Sequence, residues 1–209
     1  SGGKLTIKSK GDTNLNGAQA TGEDVELKID GNLNITASQN ESSYEKSSGN
    51  GGFTGSSGAL LTGVSAGGGK HWENKTETEK NSGITAKNEI NADIKGNVTL
   101  EAGSLGSESK KGEIEIGGDL IVNERIDKNE SGGAIIGASI GGGNGSGNLG
   151  INVDVNDIKD IQTKNNSVIS LNKENVKVGG NNDLEKTKDD LENTKEIIKD
   201  KHLGGGQAT

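Results

Sequence analysis

A short phrase recurs four times along this chain of 209 residues: a Gly, then Asp or Asn, then alternating apolar residues. The copies are Gly11-Asp12-Thr13-Asn14-Leu15, Gly31-Asn32-Leu33-Asn34-Ile35, Gly96-Asn97-Val98-Thr99-Leu100 and Gly118-Asp119-Leu120-Ile121-Val122. In three of them an Ile stands two residues before the Gly (Ile29, Ile94 and Ile116). Each copy therefore reads as strand, Gly-centred turn, strand. Gly11 and Gly31 are 20 residues apart, and Gly96 and Gly118 are 22 apart. A period near 20 built from strands and polar turns marks a solenoid, here a β-helix, in which each coil buries its apolar face only by stacking on the next.

Composition fits a narrow solenoid. Only 27% of residues are apolar, close to the range in which chains stay disordered. The net charge is a modest −8, however, and the apolar residues are ordered in alternation. The 36 glycines suit tight corners. The absence of proline suits strands paired on both edges, where a missing N–H would break a ladder. With no cysteine, stability has to come from stacked ladders and not from disulfides. An acidic balance with Arg125 as the one arginine argues against nucleic-acid binding. No apolar run approaches the ~18 residues of a membrane helix, and no signal peptide is expected among these residues. Ser1-Gly2-Gly3 reads as a cut or tag remnant and the chain as a piece of something longer.

Three blocks carry the period-two pattern: residues 4–37, 84–126 and 167–178. Two long excursions separate them, about 38–83 and 127–166, and the two resemble one another. Each opens on an Asn-Glu-Ser step (Asn40-Glu41-Ser42; Asn129-Glu130-Ser131) and passes through three glycines (Gly67–Gly69; Gly141–Gly143). Each returns through Asn81-Ser82-Gly83-Ile84 or Asn166-Ser167-Val168-Ile169. The chain thus reads as a coarse duplication of coils plus arm. Ala134, Ile136, Ala138 and Ile140 alternate, as do Leu149, Ile151, Val153 and Val155, so each arm is expected to be a β-hairpin. A lone hairpin is marginal, so the arms are expected to pack on the solenoid, on each other or on a neighbouring molecule.

The last segment changes period. Leu184, Leu191 and Ile198 are seven apart, Asp183 can cap, and Gly204 can stop a helix. The expected organisation is a β-helix segment over 1–182, of roughly five coils at about 4.8 Å each, and a C-terminal α-helix and linker over 183–209.

Chemistry-bearing constellations are sparse. Glu113 and Glu115 alternate with Ile114 and Ile116, an outward strand face and not a catalytic carboxylate pair. His71 and His202 have no second ligand nearby, and Asp154, Asp157 and Asp160 lack the Gly-Gly-x-Gly-x-Asp setting of a calcium repeat. No catalytic residue, cofactor or metal site is expected, and the chain is expected not to be an enzyme. Gly11, Asp12, Gly31, Asn32, Gly96, Asn97, Gly118 and Asp119 are read as structural corners. Tyr44 and Trp72 are candidate partner contacts, with the covering of a hairpin root as the equal alternative for Trp72. Leu149, Ile151, Val153 and Val155 form a candidate membrane-inserting or packing face.

The stretch Gly31-Asn32-Leu33-Asn34-Ile35-Thr36-Ala37-Ser38-Gln39-Asn40-Glu41-Ser42-Ser43, together with Gly63-Val64-Ser65-Ala66-Gly67-Gly68-Gly69, resembles the haemagglutinin repeats of filamentous-haemagglutinin-type exoproteins. Ile136-Gly137-Ala138-Ser139-Ile140-Gly141-Gly142-Gly143 is a looser second copy. The resemblance implies an all-β chain, a right-handed parallel β-helix with two hairpin excursions. It implies two-partner secretion through an outer-membrane transporter of a Gram-negative bacterium and display at the cell surface. It further implies a non-enzymatic shaft used in adhesion, through a target-cell receptor or glycan, or in contact-dependent growth-inhibition toxin delivery. Two alternatives accompany this reading: arms that assemble in the target outer membrane, and a β-helix enzyme that cleaves polysaccharide.

Overall fold

The computed structural model describes residues 3–54, 63–80, 82–143, 146–189 and 195–199. The fold is all-β. In chain order the strands are β1 (Lys4–Ser9), β2 (Thr13–Asn16), β3 (Gln19–Ile29), β4 (Leu33–Thr36), β5 (Ser38–Thr54), β6 (Gly63–Lys80), β7 (Ser82–Ile94) and β8 (Val98–Glu101). They continue as β9 (Gly103–Ser107), β10 (Lys111–Ile116), β11 (Leu120–Asn123), β12 (Arg125–Gly143), β13 (Ser146–Asn165), β14 (Val168–Ser170), β15 (Val176–Val178) and β16 (Lys195–Lys199). They form two compact units. The first comprises Ser1–Asn40, Glu77–Asp127 and Thr163–Ile198; the second comprises Glu41–Thr76, Lys128–Gln162 and Lys199–Thr209.

The first unit is a stack of coils. One sheet runs β1-β3-β7-β10-β15, with β9 and β14 beside it; a second runs β2-β4-β8-β11. All of these pairs are parallel. Register converts the alternation of the sequence into apolar columns. Ile29 pairs with Ile94 and Ile94 with Ile116; Leu27 pairs with Ala92 and Ala92 with Ile114. Across the corner, Leu33, Val98 and Leu120 form one column and Ile35, Leu100 and Val122 another. Nearly all of these side chains are fully buried. A one-residue slip would turn every one of them to solvent, so the pattern pins the register.

The second unit is built from the arms, whose strands lie in a sheet of order β5-β6-β12-β13-β16. The arms pair with one another: β6 runs antiparallel to β12 from Lys128 opposite Thr76 to Gly141 opposite Gly63. The arm strands are longer than the apolar alternation marks, 17 to 20 residues each.

The C-terminal α-helix expected over 183–209 is not there among the described residues. Leu184–Lys186 is a single 3-10 turn, and Lys195–Lys199 is a strand. The reason is the thin apolar stripe: one apolar residue per seven positions offers a helix too little surface to bury. Leu184 instead tucks into the coil core, where it is buried. Leu191, His202 and Gly204 lie outside the described residues.

Candidate interaction surface

The corners come first, because they hold the stack. Asp12 Oδ1 accepts the backbone N–H of Asn32 at 2.8 Å, Asn32 Oδ1 that of Asn97 at 2.8 Å, and Asn97 Oδ1 that of Asp119 at 2.9 Å. A fourth rung follows, in which Asp119 Oδ1 accepts the N–H of Asn181 at 2.8 Å. The paired glycines have a matching cause. A Cβ at Gly31, Gly96, Gly118 or Gly180 would overlap the Asx side chain of the preceding coil. Gly11, in the first coil, has no such neighbour. Gly and Asx therefore work as a couple across coils: the side chain of one coil occupies the space that the glycine of the next leaves open. The Gly180-Asn181 corner escapes a sequence search because no apolar strand follows it.

Two serines mark where the chain re-enters the stack after each arm. Ser82 Oγ donates to Thr36 O at 2.6 Å and accepts from Ala18 N. Ser167 Oγ donates to Asn123 O at 2.9 Å and accepts from Gly103 N. Both are buried, and each is fully used, as a buried hydroxyl must be.

A polar knot lies where the arm strands begin and end. Asp127 Oδ1 accepts from Thr78 N at 2.9 Å and Thr78 Oγ1 at 2.7 Å, and Gln39 Nε2 donates to Ile126 O at 3.1 Å. Asn165 Nδ2 donates to Thr78 Oγ1, and its Oδ1 is buried with no donor among the described residues. Arg125 bridges Glu101 and Gln39. Gln39, Thr78, Asp127 and Asn165 come from the ends of the four arm strands. Partial burial pushes the Asp127 carboxyl up, but the hydrogen bonds from Thr78, Asn165 and Gln39 outweigh it and hold the group below the ordinary value near 3.8. A lowered folded-state pKa contributes stability that is complete above that ordinary value and is lost as pH falls through the lower folded value. The urea midpoint of Asp127→Asn should therefore lie below wild type at pH 7, by a screened contribution of about 1 kcal/mol or less. That gap should narrow as the pH drops below about 4. A gap independent of pH contradicts the assignment.

The arm sheet presents two unlike faces. Gly137 lies against Asn152 and Gly150 against Ser139, which sets Ile136 opposite Val153, Ala138 opposite Ile151 and Ile140 opposite Leu149. Gly67 lies against Asn50, Gly69 against Ser48 and Gly52 against Ser65, which sets Gly51 opposite Ala66 and Gly49 opposite Gly68. Alternation then places Phe53, Val64, Ile136, Ile140, Leu149, Ile151 and Val153 on one face. These side chains are solvent-exposed, Ile136 at 58%, Leu149 at 63% and Ile151 at 47%. Exposed apolar patches on a folded chain are marks of a contact surface. The opposite face is a glycine-floored groove of about 460 Å³ with Asn50, Ser65, Ser139, Asn152 and the exposed Ile135 along it.

The aromatic candidates are not brought together. Tyr44 is exposed and its ring meets His71 edge-on, 6.4 Å between centroids. Trp72 is half-buried, its ring lying where a Cβ of the opposed Gly132 would stand. The register sets Trp72 on the apolar face and Tyr44 on the other. Glu113 and Glu115 are exposed between buried Ile114 and Ile116. Among the described residues no three His, Asp or Glu side chains converge on a metal-sized point.

Comparison with known proteins gives this arrangement relatives. The profile of a family described as hemagglutinin repeat matches residues 1–51 and again 46–131. The filamentous hemagglutinin of Bordetella pertussis (strain Tohama I) is similar, 24% identical over 147 residues. That match covers 66% of this chain and 4% of that protein, so the chain spans only a small part of the relative's length. No solved structure matches. The two family matches cover the first coils, the first arm and the start of the second, the same stretch in which the Gly-Asx corners recur; the chain belongs to the hemagglutinin-repeat family.

Proposed function

We propose that this chain is a non-enzymatic shaft and recognition segment of a large secreted exoprotein of a Gram-negative bacterium. The coil stack, read as a right-handed parallel β-helix, is the shaft. It is exported through an outer-membrane transporter partner and displayed at the cell surface. The arm sheet is the contact module, used in adhesion to a receptor or glycan on a target cell or in contact-dependent toxin delivery. The observation that carries this reading is the exposed apolar face of the arms, on a sheet separate from the buried columns of the stack. Buried columns serve stability; an exposed ordered face of this kind serves contact. The groove on the other face, with amides and hydroxyls beside Ile135 over a glycine floor, offers hydrogen-bonding partners to a sugar's hydroxyl groups and an apolar patch to its ring.

The test uses the parent exoprotein carrying Ile151→Asp with Val153→Asp. Export and folding are expected to be normal, and adhesion or growth inhibition to fall at least about tenfold, the effect of losing roughly 1.4 kcal/mol of contact energy. Unchanged adhesion and inhibition with normal surface display would defeat the reading. A second reading has a specific support: Leu149, Ile151 and Val153 alternate with Gly150 and Asn152 along an exposed strand, as membrane β-strands do. Insertion into a target outer membrane would require closure with further arms or further molecules, because lipid does not tolerate open edges. Under that reading the double variant keeps cell binding and loses toxin entry alone. Turnover on a panel of polysaccharides would instead favour an enzyme.

A further inference from the structure

The arm sheet ends differently on its two sides. Beyond β13 it carries the short strand β16, while on the other side β5 pairs with β6 alone among the described residues. β5 is 17 residues long, so its outer edge is a long row of backbone groups. The contacts with β6 tell which residues face that edge. The carbonyl oxygens of Gly67 and Ser65 lie 3.9 Å and 3.8 Å from the Cβ positions of Gly49 and Gly51, and Ser48 O lies 3.3 Å from that of Gly68. That placement makes Ser48–Gly69, Asn50–Gly67 and Gly52–Ser65 the hydrogen-bonded pairs of the β5–β6 ladder. Bonding alternates along an antiparallel strand, so Ser47, Gly49 and Gly51 turn their N–H and C=O groups outward, away from β6. This edge lacks the guards that keep strand edges apart. The chain has no proline, and β5 has a single lysine, Lys46. Residues 47–52 read Ser-Ser-Gly-Asn-Gly-Gly, with no charge and no β-branched side chain. The same sheet shows how arms join: β6 of one arm pairs antiparallel with β12 of the other, from Lys128 opposite Thr76 to Gly141 opposite Gly63.

We propose that the free edge of β5 pairs antiparallel with β5 of a second copy of this chain, about a two-fold axis at Gly49. This goes beyond the reading of the arms as a contact module: it names a partner and uses the edge of the sheet, not its apolar face. An axis normal to the sheet sets one residue opposite its own copy, as an isologous contact requires. With the axis at Gly49, Ser47 stands opposite Gly51, Lys46 opposite Gly52 and Glu45 opposite Phe53. No like charges meet, and Glu45 keeps its ion pair with Lys70 of its own copy, 3.1 Å long. An axis at Glu45 or Lys46 would set like charges directly opposite, and one at Ser43 would set Glu41 opposite Glu45; each is destabilising. The axis keeps each face of the sheet on its own side, so the exposed apolar faces of the two copies adjoin. A single edge pair buries few side chains and associates weakly. Repeated arms on long parent molecules strengthen it through effective concentration.

The test is sedimentation equilibrium of the 209-residue chain from ~10 μM to ~1 mM, the range in which weak association becomes visible. The wild type is expected to rise toward twice the monomer mass. Gly49→Pro removes an outward N–H that β6 does not use, and is expected to stay monomeric with unchanged circular dichroism. Gly49→Lys and Gly49→Glu each set like charges across the axis, and each alone is expected to associate at least about tenfold more weakly than wild type. An equimolar mixture of the two is expected to regain association, because opposite charges then face one another. Ile136→Asp, on the apolar face, is expected to associate like wild type. A wild type that stays monomeric throughout overturns the proposal, as does association of Gly49→Pro at wild-type strength or a mixture no stronger than its components. Slow amide exchange of Gly49 and Gly51 in the monomer overturns it in favour of a segment of the same chain lying on that edge. If the chain stays monomeric while Ile151→Asp with Val153→Asp lowers adhesion by the parent, the contact reading survives and the self-pairing falls.

Discussion

Replacing Gly112 with Ala is expected to unfold the coil stack. Gly112 sits in β10 opposite Ile90 of β7, and its φ of +121° lies outside the range that L side chains adopt easily. A Cβ there would overlap the carbonyl oxygen, carbonyl carbon and amide nitrogen of Ile90. None of these atoms can move aside, because β7 is hydrogen-bonded to β3 on one edge and β10 on the other. The new methyl group therefore opposes backbone ladder, not a flexible side chain. The cost should exceed about 4 kcal/mol, the range reserved for severe lesions, against a total stability of roughly 5–15 kcal/mol for a domain. Gly11→Ala is the control. No atom lies within 4 Å of its Cβ position, so its urea midpoint should match wild type. Wild-type stability in Gly112→Ala would show that the β7–β10 register is wrong.

The second large effect is expected for Ile94→Ala. Ile94 is fully buried and stands in the middle of its column, between Ile29 and Ile116. Truncation removes a buried side chain and leaves a cavity; such changes cost about 2–5 kcal/mol, depending on how far the surroundings collapse. Collapse is limited here, because the strands above and below are held by their own ladders, and Asn97 and Asn32 fix the adjoining corner. The loss should fall in the upper half of that range, read as a lower urea midpoint with an unchanged slope. A loss below about 1 kcal/mol would mean that the column is not close-packed.

The coil stack was legible in the sequence because its two requirements are written in residue type. Buried columns need alternation, and Ile29-x-Gly31-Asn32-Leu33 supplies it; corners without a Cβ need Gly, and the bare amide of the next coil needs Asx. What spacing alone could not reveal is that these two requirements are one device, with each Asx side chain seated over the glycine one coil along. The arms were legible only in part. Ala134–Ile140 and Leu149–Val155 alternate, but Ser38–Thr54 and Trp72–Lys80 become strands with few apolar residues to announce them, because cross-strand pairing, of β5 with β6 and of β6 with β12 of the other arm, supplies what their side chains do not. The polar knot was invisible for another reason: Gln39, Thr78, Asp127 and Asn165 are ordinary polar residues far apart in sequence, and only the exit and return of both arms at one place joins them. The C-terminal expectation erred through a heptad of three residues, a periodicity too thin to outweigh the burial of Leu184 in the core.

The central claim is that coils separated by a long arm stack in parallel register. The chain has no cysteine, so paired cysteines can be introduced without competition. Lys28 and Asp93, on either side of the first arm, are exposed and directly paired across β3 and β7. Their Cα separation should approximate the strand spacing of ~4.8 Å, within the range a disulfide spans. Under mild oxidation, Lys28→Cys with Asp93→Cys is expected to cross-link within the monomer nearly completely. Lys28→Cys with Glu89→Cys, four residues out of register and thus about 13 Å away along the strand, is expected not to. Equal cross-linking of the two pairs, or cross-linking of the second alone, would contradict the stacked-coil account.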